Sequence, residues 1–258
     1  MGNQQAESWK PRIELSALAK EYGRADLASR TRIEKAPPRK WSELISRIDD
    51  EVTNLLRHRA TWHTFLEAAK RSPVAHAQPY FAQWVGELYA STAALGIRKM
   101  VDADSRTESF TQLLTRLAEQ PHRVTREWYI GGTQVAIALH LDQTFTRIAD
   151  PHYQGHLEGA IPSADLAALR EASKKVEKYV NEHVAHAQLR PTADLPSYGD
   201  VDAALDLHFD LLKKYLFLLL TSSDRIEGPP IFQFPWTRVF YEPWLTAEPK
   251  RDLGGPDI

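Results

Sequence analysis

The chain contains no cysteine in its 258 residues. That excludes a disulfide framework, an iron–sulfur centre and a zinc site built on thiolates. It also fits a reducing compartment, so a cytoplasmic location is expected. Long apolar runs are missing too. Met1 to Lys10 is polar, which predicts no signal peptide, and the strongest apolar stretch, Tyr215 to Leu220, is far too short to cross a bilayer. Neither sign of charge dominates: 32 basic residues against 34 acidic ones give a formal charge of −2, less basic than a protein that coats DNA. No nucleophile-elbow serine, phosphate-binding glycine loop or dinucleotide fingerprint occurs.

What is present is a set of helical periods separated by glycine and proline. With 43% hydrophobic residues the chain can bury a sizeable core. Ile13 to Tyr22 has the length of one short helix, and Gly23 to Arg39 reads as a linker ending in Pro37-Pro38. From Trp41 to Arg71 no glycine or proline intervenes. Trp41, Leu44, Ile45, Ile48, Val52, Leu55, Leu56 and Trp62 recur at threes and fours, as one helix face requires. A second long helix is expected after Pro79, with Phe81, Trp84, Val85, Leu88, Thr92 and Leu95 as its apolar stripe.

Asp102 to Arg106 reads as a turn, and Ser105 with Glu108 has capping-box spacing before Phe110, Leu113, Leu114 and Leu117. Further helices are predicted over Thr133 to Ala149, from Ser163 as N-cap to at least Ala187, and from Asp200 through Leu219. The expected fold class is all-α: a single bundle of about five or six helices over residues 41–222. It would follow a polar extension, residues 1–40, and precede an aromatic, proline-interrupted tail, residues 223–258, packed extended on the bundle.

The helix from Ser163 carries the candidate chemistry. At 100° per residue, Leu166, Leu169, Val176, Tyr179, Val180, His183 and Val184 share an apolar sector, so His183 is expected to point towards the core or a partner subunit. Arg170, Lys174 and Lys178 lie at i, i+4 and i+8 on the polar side, interleaved with Glu171 and Glu177 as on a solvated face. Glu182 lies one turn from His186 and is placed to hold its ring or raise its pKa. Arg98 and Asp102, four apart at a helix end, predict a structural ion pair. The pairs His152/His156 and His183/His186 have spacings a metal could use, but the first sits beside proline and glycine. No metal and no cofactor are expected.

The phrase Tyr179-Val180-Asn181-Glu182-His183-Val184-Ala185-His186 resembles the HEPN superfamily, whose active members carry an arginine four to six residues before a histidine. Gly96-Ile97-Arg98-Lys99-Met100-Val101-Asp102 followed by Ser109-Phe110-Thr111-Gln112-Leu113-Leu114 looks like its abortive-infection U-type branch. The resemblance spans about Trp41 to Trp244, through short motifs. It implies a metal-independent endoribonuclease of phage defence: His183 or His186 takes the ribose 2′-hydroxyl proton, and Lys178, with Arg170 or Lys174 behind it, offsets phosphate charge. Asn181 would donate a hydrogen bond, RNA would be the required substrate and a homodimer the expected assembly.

The sequence departs from that pattern at its centre. Counted back from His186, the arginine falls on Tyr179, Val180 or Asn181, and none is arginine. Counted from His183, Lys178 has the spacing, without the planar fork of a guanidinium. On a continuous helix the two would point about 140° apart, so a shared site needs a helix break or a dimer. A non-catalytic scaffold that binds RNA or a protein partner is therefore the alternative reading.

Overall fold

The computed structural model describes residues 36–77, 79–131, 135–184, 194–220 and 236–240. Eight α-helices follow one another among them: α1 Arg39–Arg71, α2 Pro73–Ala77, α3 Tyr80–Met100, α4 Phe110–Glu119, α5 Arg126–Ile130, α6 Val135–Ile148, α7 Ala160–Tyr179 and α8 Tyr198–Leu220. Six of these are ten residues or longer, and no strand occurs among the described residues, so the all-α bundle is what the chain forms. The N-terminal segment expected to be a helix and linker lies outside the described residues as far as residue 35, and so do residues 221–235 and 241–258 of the tail. A 3₁₀ turn, Trp236–Phe240, is described within that tail.

Two apolar clusters fill the bundle, and α1 contributes to both. Its first half, Trp41 to Leu56, packs with Phe110, Leu113, Leu114 and Leu117 of α4, Phe145 of α6 and Leu212, Tyr215 and Leu219 of α8. Farther along, Leu55 and Trp62 meet Tyr89, Ala93, Ala94 and Ile97 of α3, Val176 and Val180 from the end of α7, and Val201 and Leu205 of α8. Helices α1 and α3 approach closely at Gly96, where a Cβ would lie 2.4 Å from Leu55 Cδ2. Small residues at such a contact let two helices close on each other.

The helix ends correct three expectations. The N-cap of α4 is Ser109, whose hydroxyl accepts the Gln112 N–H at 3.1 Å, not Ser105. Ser105 lies in the preceding turn, and Glu108 pairs instead with Arg47 of α1. Helix α7 begins at Ala160, before Pro162, so Ser163 is a helical residue bonding back to the Gly159 carbonyl at 2.8 Å. Proline is tolerated in a first turn because its missing N–H would have no partner there. Helix α8 is capped two residues earlier than the expected start: Ser197 Oγ accepts the Asp200 N–H at 3.1 Å, and Asp200 Oδ2 accepts the Ser197 N–H at 2.7 Å. That reciprocal pair is a capping box.

The stripe on α3 is the larger correction. Phe81, Trp84, Leu88 and Leu95 do not face the core; they are 55%, 46%, 49% and 46% exposed. The buried face of α3 is instead Gly86, Tyr89, Ala93, Ala94, Ile97 and Met100.

Candidate functional site

The segment carrying the candidate histidines is not continuous helix. Helix α7 ends at Tyr179, and Val180–Val184 form a single π turn. Such turns insert a residue into the helical ladder and rotate everything after them, and they recur at functional sites. The rotation explains His183. Leu169, Val176 and Val180 are buried as their spacing requires, but His183 is exposed, with its ring stacked on Tyr179 at 5.3 Å and 25°. The expectation that His183 points into the core assumed 3.6 residues per turn beyond Tyr179. The helix break that a shared Lys178–His183 site would need falls between those two residues.

Asn181 of the π turn is tied to the end of α3. Arg98 Nε donates to Asn181 Oδ1 at 3.2 Å, its Nη1 pairs with Asp102 Oδ2 at 3.2 Å, and Glu177 Oε1 stands 3.6 Å from Nε. All three charged side chains are partly exposed. Arg98 is thus a strut between α3 and the π turn, with two carboxylates on its guanidinium. Asn181 spends its carbonyl oxygen on that strut, and its NH₂ remains the group able to donate. Arg170, Lys174 and Lys178 are exposed along α7, and Lys174 lies 3.7 Å from Glu171. Glu182 is half-buried on the same turn, while His186 lies outside the described residues.

A second polar cluster escaped the sequence reading. Arg126, at the start of α5, is buried between two buried carboxylates: Nη1 donates to Asp142 Oδ1 at 2.5 Å and Nη2 to Asp150 Oδ2 at 2.8 Å. Thr146 Oγ1 and the Asp150 carbonyl accept further bonds, and the guanidinium lies over the Tyr153 ring, 4.6 Å from its centroid. Asp150 also accepts the Gln154 and Gly155 N–H groups, closing a loop in which Tyr153 has φ 55° and Gly155 φ 86°. Both angles lie in the left-handed region, where glycine is at ease and tyrosine is not. Next to this loop His152 Nδ1 bonds Glu158 Oε2 at 2.8 Å, and that carboxylate raises the His152 pKa. Only the Thr125 cap of α5, which accepts the Trp128 N–H at 3.2 Å, had a local sequence signal. Among the described residues no group of three or more histidines and carboxylates is placed to hold a metal ion.

The largest concave surface lies elsewhere, between the second half of α1, α2 and the first half of α3. It is a cavity of about 860 Å³ lined by Trp62, Phe65, Tyr80, Phe81, Val85 and Tyr89, with His58 and Thr61 among its few polar groups. Val239 and Phe240 of the C-terminal 3₁₀ turn close one side, and the Phe240 ring meets Phe65 edge-on at 5.9 Å. Stacked rings floor it: Trp62 lies 5.6 Å from Tyr89 and 5.2 Å from Tyr198. The volume and aromatic lining are those of a binding site more than of a packing defect. The sequence signal was the α3 stripe itself, whose spacing identifies a helix face but not what covers it.

A helical bundle in which a basic, apolar, Asp-ended turn meets a histidine-bearing π turn defines the class of helical defence modules. Comparison with protein families makes this definite: the HEPN_AbiU2 model, described as AbiU2, matches residues 39–228. The chain belongs to that family, the HEPN proteins of the abortive-infection U type. No curated protein and no solved structure matches it. No helix among the described residues is long and apolar enough to cross a membrane.

Proposed function

We propose that this chain is a cytoplasmic, HEPN-derived binding module of abortive infection whose working surface is the aromatic groove between α1 and α3. The groove carries the reading, because it gathers exposed aromatic and aliphatic side chains that a monomer has no reason to leave in water. The motif position supports it from the other side. Val180, one of the places where the family arginine would fall, is 2% exposed and packed in the second apolar cluster. A guanidinium there would be buried away from any phosphate.

A second reading is favoured by the π turn, which exposes His183 beside Asn181 and follows directly on Lys178. On that reading the chain is a metal-independent endoribonuclease. His183 or His186 removes the 2′-hydroxyl proton, Lys178 offsets charge on the phosphate, Arg170 and Lys174 track the RNA backbone, and Asn181 donates a hydrogen bond.

The two readings separate in one experiment. Phage protection by the full chain is compared with that of Phe81→Asp and Leu88→Asp in the groove and of Lys178→Ala, His183→Ala and His186→Ala at the turn. The binding module predicts loss with the groove variants and retention with the turn variants, and no cleavage of cellular RNA in EDTA. Cleavage in EDTA that leaves 2′,3′-cyclic phosphate ends and vanishes in the histidine variants would instead establish the nuclease.

A further inference from the structure

We infer that the groove is a self-occupied site, and that its resident ligand is the C-terminal segment Tyr241-Glu242-Pro243-Trp244-Leu245 of the same chain. The inference rests on the groove being the working surface and says how that surface is regulated: a partner must displace the chain's own aromatic segment.

Chain continuity is the first argument. Val239 and Phe240 already line the cavity, and Phe240 packs on Phe65 of α1. The next residue must leave from inside the groove, one Cα step of about 3.8 Å from Phe240. Trp244 is four residues on, within about 14 Å if the chain is extended, so the whole width of the groove is in reach. Chemical match is the second argument. The open part of the groove is Tyr80, Phe81, Val85 and Leu88, exposed aromatic and aliphatic side chains with no charged group among them. Tyr241, Trp244 and Leu245 supply aromatic and aliphatic surface at the spacing of an extended segment, and Pro243 keeps that segment out of a helix. Aromatic rings meeting edge-on or offset are the contacts already present at Phe65–Phe81 and Phe81–Trp84, at 6.0 and 5.8 Å. Tethering is the third. A ligand joined to its site by so short a link acts at an effective concentration of order millimolar, so weak contacts suffice to keep it bound.

The absence of cysteine makes the test clean, because any disulfide formed is the engineered one. In the full chain, Glu242→Cys is combined with Ala82→Cys in the groove wall, or with Glu119→Cys at the end of α4, which packs at the opposite end of α1. Occupancy in cis predicts that the first pair closes an intramolecular disulfide at a chain concentration of about 1 µM, roughly tenfold or more faster than the second pair. Adding Trp244→Asp should remove that preference, with helicity by circular dichroism confirming that the variant folds. Equal rates for the two pairs would overturn the inference. So would disulfides that appear only as cross-linked dimers, which would make a second copy the occupant. The result is independent of phage protection. If groove variants abolish protection and no cis disulfide forms, the self-ligand falls and the binding module stands. If the disulfide forms and groove variants protect normally, the tail is seated but the groove is not the working surface.

Discussion

The two ends of the bundle bury very different things. Around α4, α5 and α6 the interior is closed and includes charge: Arg126 sits between Asp142 and Asp150, with every nitrogen of its guanidinium donating. Around the second half of α1 the interior is uncharged, aromatic and open to one side, where Trp62, Phe65 and Phe81 line a cavity and Phe81 stands 55% exposed. Charge can be buried at the first end because each group has its partner and the loop from Asp150 to Glu158 seals the cage. Apolar surface at the second end is left wet because its cover is not among the packed helices. Closure by internal pairing therefore marks the structural end of the molecule, and its lack marks the end available to a ligand.

The contrast can be broken most severely by emptying the cage. Arg126→Met leaves Asp142 and Asp150 buried without their cation, and should cost about 3–5 kcal/mol, read from the urea midpoint at unchanged m-value. A loss below about 1 kcal/mol would mean the carboxylates take up protons or water instead.

A slightly smaller effect concerns His208, fully buried in α8 with Nδ1 donating to the Ala204 carbonyl at 2.7 Å. Burial lowers its pKa to about 4. Between the unfolded value near 6.5 and that folded value, the unfolded chain binds a proton that the folded chain refuses. Stability is therefore fully present above about pH 6.5 and is lost as pH falls towards about 4, by about 3 kcal/mol in all. His208→Leu should flatten this part of the stability profile; an unchanged slope would assign the loss to the acidic residues.

The smallest effect sharpens the comparison. Trp84→Ser and Leu95→Ser, on the uncovered face of α3, should change stability by no more than about 0.5 kcal/mol. A cost above about 1 kcal/mol in a dilute sample would show that something covers this face in the free chain.

Much of the fold was legible because helices carry their own period. Trp41 to Arg71 reads as one helix and is one, and the breaks at Pro79, Pro121 and Asp150-Pro151 fall between elements. The caps were harder to read because several serines compete within a few residues, and only the folded turn decides which hydroxyl meets an N–H, as Ser105 and Ser109 show. Period alone could not choose between two stripes of α3. The one with Gly86, Ala93 and Ala94 won the core because small residues let α1 come close, an advantage that no hydrophobicity pattern records. The π turn was hidden for a related reason: it is an extra residue in a ladder, and the letters Val-Asn-Glu-His-Val do not announce it. The Arg126 cage joins residues up to 24 apart in sequence, which no local window relates.

One helix belongs to both ends. At 33 residues α1 is about 50 Å long, and its buried residues run from the sealed cluster at Trp41 to the aromatic floor at Trp62. The clusters therefore share a rafter, and neither can lose its packing while the other keeps a straight α1 beneath it. Heat or denaturant should take the whole bundle in one step, while a ligand that stiffens the groove would raise the melting point of a cage it never touches.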